Sequence, residues 1–149
     1  MGVYILSVMT KETVEITIVS SIQKKIQLIY PKNEISYSQY NYDDRKYNEL
    51  DFDIMGITFS KGKIIEEIDL LIEAIKVIFE DLKIDCEIIG GYNDTENAIM
   101  QYENDRESNY KNWSLFATKK PISKSNIYRK ENGIYIYQSF KYDSMGVIF

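Results

Sequence analysis

The sequence predicts an α+β fold: a mostly antiparallel sheet with one long amphipathic helix packed on one face. Three observations carry that expectation. Several short alternating apolar runs suggest strands, a single stretch over about residues 62–84 has helical spacing, and Asn132-Gly133 between two β-rich runs marks a hairpin. At 149 residues the chain is expected to form a single domain over residues 1–149. Apolar residues make up 44% and charged residues 28%, enough for an ordinary hydrophobic core. With 24 Ile against 3 Ala, the apolar set is strongly β-branched, which favours strands.

In chain order, residues 2–9 read as a first strand. Residues 13–20 alternate through Val14, Ile16 and Ile18, and residues 24–30 through Ile26, Leu28 and Tyr30. Together with the first run, these predict an antiparallel meander with one wet face, ended by Pro31. Residues 31–50 are polar without a clear period. Residues 51–59 resemble a fourth strand, with Gly56 as a candidate bulge.

The helix prediction rests on Ile64, Ile65, Ile68, Leu71, Ile72, Ile75, Ile78, Phe79 and Leu82 falling on one face. Glu66, Asp69, Glu73, Lys76 and Glu80 line the other, and Leu70 and Val77 lie off the apolar stripe. A short strand over 85–89 is expected to end in a turn at Gly90-Gly91. Residues 94–107 form a weaker, polar helix candidate. Trp113, Leu115 and Ala117 alternate in a further strand, and residues 126–131 and 134–140 form the C-terminal hairpin.

Charge and composition exclude several function classes. The net charge is −5, distributed as +2 over residues 1–32, −12 over 33–110 and +5 over 111–149. So acidic a middle disfavours duplex nucleic acid and attracts basic partners. With no histidine, a Ser–His or Cys–His pair cannot form within the chain. One cysteine, Cys86, permits neither an internal disulfide nor a thiolate zinc cage, a pattern expected of a reducing cytoplasm. Its neighbours Asp85 and Glu87 and its apolar strand predict a raised pKa and an inert thiol. No run approaches the roughly 20 apolar residues of a membrane span, and the N-terminus lacks the charge pattern of a signal peptide. The expectation is a cytoplasmic protein without membrane contact.

Motif-like segments fail on spacing. Gly56 to Lys63 (GITFSKGK) has five residues between its glycines where a phosphate-binding loop needs four, and Ile64 stands where Ser or Thr is required. Asp51 to Gly56 begins like a calcium loop, but Met55 and Gly62 occupy ligand positions. A looser magnesium site from Asp43, Asp44, Asp51 and Asp53 is weaker than solvated carboxylates as a reading. No cofactor is expected. The basic residues Lys119, Lys120, Lys124, Arg129 and Lys130 beside Tyr128, Tyr135 and Tyr137 are read as charge balance in preference to a single-strand nucleic-acid surface.

The segment from Ser36 to Glu49 carries the candidate site. Its mixture of Tyr, Ser and Asn is that of binding loops, where tyrosine gives contact area at small entropic cost. Tyr37, Tyr40, Tyr42, Asp43, Asp44, Tyr47, Glu49, Asp51 and Asp53 are the predicted partner-binding residues. The acids would steer a basic protein partner. The leading expectation is a non-enzymatic inhibitor, such as an immunity protein that neutralises a basic toxin, a nuclease for example. The alternative is a small-molecule or nucleotide-binding domain, with an enzyme free of histidine chemistry included in that class and the pocket between helix and sheet. A third reading is self-association through Leu70, Val77 and Val147-Ile148-Phe149.

Overall fold

The first strand, β1 (Tyr4–Thr10), lies inside the sheet, away from either described edge. In the computed structural model it lies between two antiparallel neighbours in a seven-stranded sheet of order β2-β3-β1-β4-β5-β7-β6. The structure describes residues 4–42, 45–54, 64–92, 115–121 and 127–138. The remaining strands are β2 (Asn33–Tyr42), β3 (Arg45–Ile54), β4 (Cys86–Tyr92), β5 (Leu115–Thr118), β6 (Ile127–Glu131) and β7 (Ile134–Gln138). Two helices, α1 (Ile16–Ile29) and α2 (Ile64–Leu82), complete the described elements. Every described strand pair is antiparallel, so the fold is α+β as expected.

Alternation along the strands sorts the sheet into two faces. Tyr4, Leu6, Val8, Leu50, Phe52, Ile54, Ile88, Leu115, Ala117, Ile134 and Ile136 join the core with Ile22 and Ile26 of α1 and the apolar stripe of α2. Within α2, Ile68, Leu71, Ile72, Ile75, Ile78, Phe79 and Leu82 are buried, which matches the predicted face. Asp69 and Lys76 meet β6 instead of only solvent: Arg129 Nη2 lies 2.6 Å from Asp69 and Lys76 Nζ 3.5 Å from Glu131. Lys25 ties α1 to α2 through Asp81 at 2.8 Å. Leu70 is exposed and Val77 packs partly against the core; Val147-Ile148-Phe149 lies outside the described residues.

The structure corrects the meander. Residues 16–29 are helical, with Ile22 and Ile26 buried four apart and Ile18, Val19 and Ile29 packed beside them. Ile16 and Leu28, two residues that made the segments look alternating, are 81% and 87% exposed. Burial of one helical stripe outweighs the modest helix penalty of β-branched residues. The helix closes where the Tyr30 N–H donates to the Ile26 carbonyl at 2.7 Å. The Asn33 side chain then donates to the Tyr30 carbonyl at 2.8 Å and turns the chain into β2.

Two further corrections concern strands. Residues 33–54, expected to be largely irregular before 51, form a ladder of β2 and β3 in continuous register from Asn33↔Ile54 to Tyr42↔Arg45. Gly90 and Gly91 do not turn the chain but continue β4 opposite Leu6 and Ile5. Gly90 is required there by Tyr4, whose phenol oxygen would lie 2.5 Å from an added Cβ. The C-terminal hairpin forms as predicted: Asn132 and Gly133 take φ of 51° and 76°, the left-handed pair of a type I′ turn. Gly56, the candidate helix over 94–107 and Trp113 lie outside the described residues.

Candidate functional site

On β3 the residues alternate between core and acid. Leu50, Phe52 and Ile54 enter the core, which sends Glu49, Asp51 and Asp53 to the face opposite the helices. The register places Glu49 opposite Met9, Asp51 opposite Ser7 and Asp53 opposite Ile5 on β1. On the other side the same three acids are registered with Ser38, Ser36 and Glu34 of β2. Three acids are thus spaced two residues apart along one strand, one strand in from the edge.

Their environment disfavours full ionisation. Glu49 is buried, and burial first, then the Asp51 charge and its hydrogen bond, push its pKa up to about 8. Asp51 is also raised, by burial, against the lowering effect of hydrogen bonds from Ser7 and Glu49. Asp53 is raised by burial and by the nearby charges of Asp51 and Glu34. Glu49 and Asp51 stand close enough that the charge on one opposes ionisation of the other. One oxygen of Asp51 is buried without a hydrogen-bond partner among the described residues. Among the described residues none of the three acids forms an ion pair.

Further along the same face the character changes. Ser7, Met9, Ile89, Phe116 and Tyr137 are buried although both helices lie on the other side. Phe116 and Tyr137 meet edge to face at 6.4 Å. Glu87 is buried on β4, where the Thr118 hydroxyl donates to its carboxylate. At the strand ends, a hollow of about 350 Å³ is lined by Lys11, Glu12, Asp85 and Lys120. Its charges are matched: Lys120 lies 3.0 Å from Asp85, whose N–H donates to Glu12 at 2.5 Å.

The predicted site residues divide into three groups. Glu49, Asp51 and Asp53 come together as described. Tyr37, Tyr40, Tyr42 and Tyr47 belong to β2 and β3 rather than to a loop, with Tyr40 registered opposite Tyr47; their side chains lie outside the described set. Asp43 and Asp44 lie outside the described residues, as does the segment from Gly56 to Lys63. The magnesium reading therefore keeps only Asp51 and Asp53, and no group of three or more metal-ligating side chains is found among the described residues.

The remaining expectations can be located directly. Cys86 is buried, and desolvation pushes its thiol up to about 12, the direction its apolar strand and acidic neighbours predict. The basic C-terminal residues are engaged internally: Arg129 with Asp69 and Glu131, Lys120 with Asp85, Lys119 over the Phe79 ring and Lys130 over Tyr135. Lys124 and Tyr128 are outside the residues whose side chains are described. No helix among the described residues is long and apolar enough to cross a membrane. Ser7 and Glu34 complete the acid site and were missed by sequence reasoning, because only cross-strand register brings them to β3. No protein-family model, curated protein or solved structure matches the chain.

Proposed function

We propose that the protein is a small, non-enzymatic inhibitor that binds a basic protein through the acidic face of β2 and β3, in the way an immunity protein neutralises a toxin. The observation that supports this reading is the row Glu49, Asp51 and Asp53, half-buried or buried, with pKa values raised by desolvation and mutual repulsion. Ionising such a row is unfavourable in the free protein. A lysine or arginine brought by a partner compensates the charge and satisfies the open Asp51 oxygen. The net charge of −12 over residues 33–110 adds long-range attraction, which raises the association rate of a basic partner.

The test is comparative capture. Wild-type chain and an Asp51→Asn/Asp53→Asn variant are immobilised side by side and exposed to lysate of the native host, then washed with rising salt. The expected result is a basic protein retained by the wild type to high salt and held at least about tenfold more weakly by the variant. Equal retention by both, or capture of no basic protein, contradicts the reading. Stabilisation of the free chain by nucleotides or sugars in a thermal screen would favour a ligand-binding domain in its place.

A further inference from the structure

The strand β2 ends the described sheet, next to β3 on one side only. It is ten residues long and holds neither proline nor lysine, two residues that commonly blunt such edges. The backbone pattern shows which groups it presents. Two residues separate the registered pair Tyr42 and Arg45, and a two-residue connection makes its flanking pair a hydrogen-bonded one. The even-numbered residues of β2 therefore bond to β3. Ile35, Tyr37, Gln39 and Asn41 aim their N–H and C=O groups outward. The Asn33 N–H, in the same class, is taken by the Tyr30 carbonyl at 3.2 Å.

Each face beside this edge offers a different chemistry. On the helix side, Val14, Ile16, Val19 and Gln23 form with Ile35 a mainly apolar groove of about 310 Å³. Around α1, Ile16, Val19 and Gln23 lie on the flank away from α2, since Ser21 and Lys25 face Asp81 across the other flank. The groove thus lies between this flank of α1 and β2 at Ile35. On the opposite side, Glu34 is exposed and stands in register with Asp53, and the short residues Ser36 and Ser38 stand in register with Asp51 and Glu49. Strands lie about 4.8 Å apart, so a lysine or arginine stem on an added strand reaches across β2 toward these acids.

We propose that β2 accepts an added strand from the partner: an extended segment in which apolar and basic residues alternate. Its apolar side chains enter the groove between α1 and Ile35, and its lysines or arginines meet the carboxylates on the other face. Main-chain hydrogen bonds to Ile35, Tyr37, Gln39 and Asn41 supply affinity, while the alternating side chains supply specificity. The identity of the occupant follows from charge complementarity with Glu34, Asp53, Asp51 and Glu49. The inference rests on the reading that the partner is basic and adds how it is held.

The probe is a capped decapeptide of alternating lysine and valine, with a peptide of five lysines followed by five valines as the control of equal composition. Binding is read by fluorescence anisotropy and by amide exchange in the full chain. The alternating peptide is expected to bind at least tenfold more tightly than the block peptide and to slow exchange at Ile35, Tyr37, Gln39 and Asn41. Gln39→Pro removes an outward N–H at an edge position that tolerates proline, and is expected to weaken binding at least tenfold. Ile16→Asp, at a residue 81% exposed, tests the groove without disturbing the core and is expected to weaken binding severalfold. Binding lost in Asp51→Asn/Asp53→Asn but unchanged in both Gln39→Pro and Ile16→Asp overturns strand addition while leaving the acidic-face reading intact. Binding unchanged in Asp51→Asn/Asp53→Asn overturns the basic occupant and that reading together. Dimerisation of the free chain that Gln39→Pro abolishes would assign the edge to a second copy and overturn the proposal.

Discussion

Glu49 links the stability of the fold to pH. Its pKa stands at about 8 in the folded chain against an ordinary 4.5, so the native state holds a proton that the unfolded state has released between those values. Stability from this group is therefore fully present below about 4.5 and is lost as pH rises through about 8, by up to about 1.4 kcal/mol per pH unit. Urea unfolding at pH 5, 7 and 9 should show this decline, and Glu49→Gln should flatten it. A variant with the wild-type slope would place the proton elsewhere. Gly90 offers a steric test at the same scale. Gly90→Ala should destabilise by about 1–3 kcal/mol through overpacking, because the new Cβ meets the Tyr4 phenol. Tyr4→Phe in the same chain should recover part of the loss.

Among the elements, α1 gives the most instructive contrast between sequence and structure. Ile22→Ala removes a fully buried side chain and should cost about 2–5 kcal/mol in denaturant unfolding, whereas Leu28→Lys, at a side chain 87% exposed, should change stability by less than about 0.5 kcal/mol. The same two residues explain the misreading. Leu28 and Ile16 supplied two of the six residues of a period-2 pattern although both face solvent, while the buried pair Ile22 and Ile26 carried the helical period. By contrast α2 was legible because its apolar stripe is long and nearly unbroken, and Asn132-Gly133 because few residue pairs accept two left-handed conformations. The pair β2 and β3 was hidden by polar residues on a strand that pairs on one side only. The acids of the site were visible as acids, but the burial of Glu49 and its raised pKa depend on pairing with β1, more than forty positions earlier in the chain, as in Ser7↔Asp51. Gly90-Gly91 was mistaken for a turn because the tyrosine that needs a glycine beneath it lies on another strand.

For the whole molecule, the charges are segregated by their partners. Cations of the C-terminal region are engaged by Asp69, Glu131 and Asp85, while the acids of β3 have no ion-pair partner among the described residues. On the proposed reading, this asymmetry keeps the β3 row for a cation that a partner supplies. Because burial and the Asp51 charge push the Glu49 pKa up to about 8, binding such a cation near neutral pH should release a proton, and affinity should rise with pH up to about 8. The most direct measurement is titration calorimetry of the captured partner against the wild-type chain and Asp51→Asn/Asp53→Asn, in two buffers of different ionisation enthalpy. The account predicts proton release by the wild type, little or none by the variant, and an affinity loss of at least about tenfold. Equal affinities, with no buffer dependence in either chain, would contradict it.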